Sequence, residues 1–155
     1  MPRTSGGSGG GGSSDLLALK QYAPASEATV TATTLAAFDT TNLTLAFTAP
    51  ASGHVFVRLT GSVQNIGGQA YFALLDHTSH AQVGNTAFLQ DVLGSTIETY
   101  SVVIAVTGLT GGTSYQYDWA GIGVSATTSM FCQGAQGTPG TAYAGPATME
   151  IWAAP

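Results

Sequence analysis

Charge is scarce in this chain: Asp, Glu, Lys and Arg make up 7% of its 155 residues, against about 25% in an average soluble protein. Beyond Lys20 the only Lys or Arg is Arg58, and the formal net charge is −5. No basic stripe exists to neutralise phosphates, which argues against a nucleic-acid partner. The acidic balance disfavours anionic lipid surfaces, and the longest aliphatic run, Val102 to Val106, falls far short of the roughly 20 residues that cross a bilayer. No membrane role is expected. Cys132 is the only cysteine, which leaves no intramolecular disulfide and no zinc site built on paired cysteines. Beside Phe131, with no Lys or His near it in sequence, it reads as a small apolar residue and not a reactive thiol. Burial alone must hold the fold.

What the chain has instead is 44% hydrophobic residues and a polar complement of Ser, Thr, Asn, Gln and Gly. Such a surface costs little to desolvate and can hydrogen-bond across an interface, which suits a subunit packed against other copies. The length fits one domain plus a tail. Residues 5–14, SGGSGGGGSS, have no side chains able to build a core and read as a pliant tether. The N-terminus carries no apolar h-region, so synthesis in the cytosol is expected. Next comes a segment whose Leu16, Leu17, Leu19 and Tyr22 are too few for an isolated helix and too apolar for free solvent. It is read either as an anchor for a partner surface or as a first strand on its own domain. The expected division is a flexible arm over 1–24 and a β-sandwich over 25–155.

From Ala25 onward, Thr, Val, Ile, Tyr and Phe recur in short runs broken by Gly, Pro, Asn and Asp, the pattern of strands and turns. Leu43, Leu45 and Phe47 share one parity, as do Val55, Val57 and Leu59, with His54, Phe56, Arg58 and Thr60 on the other. Tyr115, Tyr117 and Trp119 form another face, opposed by Gln116 and Asp118. Pro50 and Gly53 mark a turn. About eight strands with no helical period point to an all-β antiparallel sandwich, with a jelly roll favoured.

Chemistry finds little material. His77 and His80 beside Asp76 are the best metal candidates, but two His three apart share a face only in a helix or tight turn, and the stretch reads as a loop. His54 is expected at a solvated strand edge. Asp118 and Glu150, each mid-strand on an outward parity, are expected in solvent or against another subunit, not as a glycosidase pair. Gly6-Gly7-Ser8-Gly9-Gly10 matches the nucleophile-elbow pattern only through its low complexity, since that motif needs a strained turn between strand and helix. No phosphate-cradling loop is present, and no cofactor is expected. Phe56, Tyr71, Ala73 and Leu75, on the opposite parity from the expected core, need cover that a subunit interface would supply.

Four blocks carry a resemblance: Leu16 to Tyr22 (LLALKQY), Phe47 to Leu59 (FTAPASGHVFVRL), Val106 to Tyr115 (VTGLTGGTSY) and Tyr143 to Pro155 (YAGPATMEIWAAP). Together they resemble small structural proteins of tailed bacteriophages, especially phages of actinobacteria. The resemblance implies a jelly roll of the kind found in trimeric virion proteins and, more distantly, in the TNF and C1q families, with the final strand running down the trimer centre. It therefore implies a homotrimer with Ile151 and Trp152 near the axis, and Phe56 and Tyr71, whose parity asks for cover, are expected at the same interface. It implies no catalytic residue. The expected function is a non-enzymatic virion protein, either a capsid decoration or head-fibre subunit held to the major capsid protein or another virion protein by its arm. The alternative is a minor tail adhesin whose aromatics, such as Tyr71 or Trp152, stack on a host-surface glycan.

Overall fold

The structure, a computed structural model, describes residues 15–22, 28–30, 34–65, 68–84, 88–92, 97–123, 130–133 and 146–155. The tether over 5–14, the Gly6 to Gly10 motif and the side chain of Cys132 lie outside what is described. Among the described residues there is no helix, and eleven strands form two antiparallel sheets.

In the first sheet, β1 (Leu16–Tyr22) pairs with β11 (Ala147–Ala153), which pairs with β5 (Val55–Asn65). The far side of β5 carries β8 (Ile97–Val106). Its C-terminal end also pairs with β10 (Met130–Gln133), which holds β2 (Ala28–Val30). In the second sheet, β9 (Ser114–Gly123) is flanked on one side by β3 (Ala36–Ala37) and β4 (Thr44–Thr48). On its other side lies β6 (Gly68–Asp76), followed by β7 (Phe88–Val92). Leaving out β2, β3 and β10, the pairing is nested: β1 with β11, β4 with β9, β5 with β8 and β6 with β7.

Alternation explains which side chains meet between the sheets. Leu43, Leu45 and Phe47 from the β4 region, Val55, Val57 and Leu59 from β5, and Tyr117 and Trp119 from β9 are all buried in one core, as period-two patterning requires. Phe47 packs edge-on to Tyr117 with ring centroids 5.3 Å apart, and Phe38 does the same to Trp119 at 6.0 Å, the offset geometry that aromatic quadrupoles favour. The turn after β4 closes through Gly53 N–H donating to the Pro50 carbonyl at 2.9 Å. Gly53 adopts φ 69°, a conformation glycine reaches without steric cost.

Four expectations change. The boundary drawn at residue 25 moves, because Leu16–Tyr22 is a strand of the first sheet, with Leu17 and Tyr22 packed on the core. Asp118 is 0% exposed: its parity is opposite to Trp119 as expected, but the outer face of the second sheet is itself covered there. Ala73, Leu75 and Ala120 on that face are buried too, so they need no neighbouring subunit. Ile151 is also 0% exposed, enclosed between the two sheets with Met149, and so does not reach an axis between copies.

Candidate functional site

Among the described residues the large apolar side chains left exposed are Leu16, Leu19, Phe56 and Val103. Register places all four on the outer face of the first sheet. One cross-strand row reads Leu16, Trp152, Phe56, Ala105, and the next reads Leu19, Glu150, Arg58, Val103. Leu16 and Leu19 are three apart, an odd separation that would normally put them on opposite faces. A register shift between Leu16 and Ala18 adds one residue to β1 and turns both leucines outward, as a β-bulge does. Further along the same face the rows become polar: Gln21, Thr148, Thr60 and Ser101, with the Thr60 and Ser101 hydroxyls 3.0 Å apart.

A shallow groove on this face is lined by Phe56, Arg58, Val103 and Trp152. Arg58 Nη1 lies 3.6 Å from Glu150 Oε2, and the Trp152 indole N–H donates to the same oxygen at 2.9 Å. The face is thus an apolar patch with a single ion pair set in it. Covering half-exposed Leu, Phe and Val side chains is worth about 1 kcal/mol each, which favours a dry, protein-like partner over water.

The sequence-derived interface residues separate. Phe56 and Trp152 are register neighbours on the patch. Tyr71 shares the parity of Ala73 on the outer face of the second sheet, paired with Ile122 and Leu89, away from the patch. Ile151 is in the core. Of the anchor residues, Leu16 and Leu19 belong to the patch while Leu17 and Tyr22 pack inward. Sequence reading missed Val103, Arg58 and Glu150 as members. Arg58 shares the parity of Phe56, which was the available signal, but nothing in sequence said which strands would lie beside β5.

Asp118 and the His77–His80 loop sit on the opposite sheet. His77 Nδ1 is 2.8 Å from Asp118 Oδ1, and Asp118 Oδ2 is buried without a protein partner. Asp76 is held below the usual carboxylate range chiefly by the Ser79 backbone N–H and hydroxyl, helped by the Thr78 N–H and nearby His77. It is committed to its own turn. His80 is exposed, and among the described residues no three His, Cys, Asp or Glu side chains gather as a metal set. His54 is half-buried, with Nδ1 lacking a protein partner, and not at a fully solvated edge.

No family model and no curated protein matches the chain. Among solved structures, the enzymatically active domain of tailspike protein 4 from bacteriophage CBA120 aligns at 13% identity, over 87% of this chain and 19% of that one, with a TM-score of 0.27. A superposition that loose bears on neither fold nor function.

Proposed function

We propose that this chain is a non-enzymatic structural protein of a bacteriophage particle, a capsid decoration or head-fibre subunit that works as a homotrimer. The observation that carries the reading is the outer face of the first sheet, where every exposed large apolar side chain among the described residues falls in two adjacent rows. A patch of that kind marks a protein contact surface, and the low overall charge favours its being met by further copies. The nested strand pairing supports the jelly-roll form: a long hairpin rolled on itself pairs first strand with last, second with penultimate, and so inward. The resemblance of the LLALKQY, FTAPASGHVFVRL, VTGLTGGTSY and YAGPATMEIWAAP blocks to small proteins of tailed phages supplies the particle. The glycine-rich stretch ahead of Asp15 then serves as the tether to the shell.

A sugar-binding adhesin is the weaker reading of the same patch. Three of its four exposed members are aliphatic, and the Trp152 N–H is spent on Glu150, whereas sugar recognition relies on stacked aromatics with free polar groups beside them. Electron microscopy of particles lacking the subunit is the test. Loss of density projecting from the head is expected; an unchanged head with density missing at the tail tip would transfer the protein to the adhesin class.

A further inference from the structure

The proposed self-association leaves open what selects one arrangement of copies over the many ways two greasy faces can slide together. Apolar side chains are non-directional, so the patch alone fixes neither register nor partner. The one directional element within its two rows is the Arg58–Glu150 pair. Arg58 is the only Lys or Arg beyond Lys20, and its side chain remains 50% exposed although Glu150 is adjacent in register. The 3.6 Å contact is longer than a hydrogen bond, so the fork of guanidinium donors is not consumed by it. Glu150 is better fixed, with the Trp152 N–H holding one oxygen at 2.9 Å.

Resting on the reading of the chain as a self-assembling subunit, we infer that Arg58 and Glu150 are the specificity determinants of the assembly, each Arg58 engaging Glu150 of the neighbouring copy. One cation and one anion side by side make a face complementary to itself. Any cyclic arrangement that sets the guanidinium of one copy over the carboxylate of the next closes with every charge matched. A face-to-face slide by one row would instead set each charge against Phe56 and Trp152, or against Thr60 and Thr148, with no opposite charge to meet it, and covering an unmatched charge is penalised. In Met1 to Ser14 the only large apolar side chain is Met1, so that stretch of the chain's own sequence offers too little apolar surface to cover the two rows in place of a second copy.

The test is self-sorting. The doubly swapped chain, Arg58→Glu with Glu150→Arg, keeps opposite charges within each copy and between like copies, but sets like charges together wherever it meets the wild type. The two chains, one carrying a mass label, are unfolded together, refolded and weighed by native mass spectrometry. Homo-oligomers of each chain, with mixed species depleted at least fivefold below the random distribution, are expected. A random distribution among wild-type trimers would overturn this inference while leaving the assembly reading intact; a monomeric wild type would overturn both. Should the swapped chain not fold, the charge-neutral set Arg58→Gln, Glu150→Gln and the double variant gives a second measurement. Oligomer dissociation constants for the singles and the double are expected to be non-additive by about threefold or more, and additive values overturn the inference.

Discussion

His77 Nδ1 lies 2.8 Å from Asp118 Oδ1, a contact that pins the turn after β6 to the middle of β9. The His77 backbone N–H donates to the Gln116 carbonyl at 3.0 Å beside it, so the turn is held at two points. Asp118 is 0% exposed while the His77 side chain is 33% exposed: the imidazole stands between the carboxylate and solvent.

The first prediction follows from that screening. His77→Ala takes away the partner of a buried carboxylate and opens only one side of it to water, and is expected to lower the unfolding free energy by about 1–2 kcal/mol, read as a reduced urea midpoint with unchanged m-value. Asp118→Asn in the His77→Ala background removes the stranded charge and is expected to recover part of the loss. An equal or larger loss in the double variant would show that the carboxylate left without His77 carries no penalty.

Tyr117 sets the alkaline limit. Burial, reinforced by Tyr115 and Asp76, raises its phenol from 10.0 to about 12. A folded-state pKa above the unfolded one means the contribution is complete below about pH 10 and disappears as pH climbs through the folded value. Wild-type stability is therefore expected to fall between about pH 10 and about pH 12, and Tyr117→Phe to flatten that limb. Chemical denaturation at stepped pH, with tyrosinate absorbance followed in parallel, checks it; identical limbs for the two chains would rule Tyr117 out as the cause.

Alternation made the core legible, because Leu43, Leu45 and Phe47, or Val55, Val57 and Leu59, declare a face whatever lies beyond it. What alternation cannot state is whether the other face is wet. Asp118 has the outward parity expected of it and is nonetheless buried, since the turn bearing His77 folds back over it, and that is a tertiary event. Ile151 shows the opposite error: its parity with Met149 pointed inward, and the analogy to a trimer axis pointed outward. The patch was half visible, with Phe56 and Trp152 singled out, while the extra residue in β1 that turns Leu16 and Leu19 to the same side left no mark in the sequence.

The turn at Gly53 offers a contrast between two glycines. Both Gly53 and Gly112 have positive φ, 69° and 79°, but a Cβ on Gly53 would run into the Leu109 carbonyl oxygen whereas one on Gly112 meets nothing within 4 Å. Gly53 also accepts the Leu109 N–H at 3.0 Å, so the clash cannot be relieved without breaking the link between the two loops. Gly112→Ala is expected to cost about 1 kcal/mol for the backbone alone, and Gly53→Ala about 3 kcal/mol. Thermal melts of the two variants decide it, and equal melting temperatures would refute the steric account.

The last prediction separates the core from the face using two residues of similar chemistry in the two strands that flank β5. Ile151 is 0% and Val103 49% exposed, so truncation of each acts on a different equilibrium. Ile151→Ala opens a cavity between the sheets and is expected to cost about 2–5 kcal/mol of folding stability. Val103→Ser removes apolar surface from the patch and is expected to change folding by less than about 0.5 kcal/mol, yet to weaken association of copies by roughly tenfold, because the lost burial, on the order of 1 kcal/mol, recurs at every contact. Sedimentation across a concentration series reads the second effect and urea unfolding of the dissociated chain the first. A Val103→Ser protein that associates like the wild type would remove the outer face of the first sheet from the assembly, whereas an Ile151→Ala protein as stable as the wild type would mean the two sheets do not enclose that side chain.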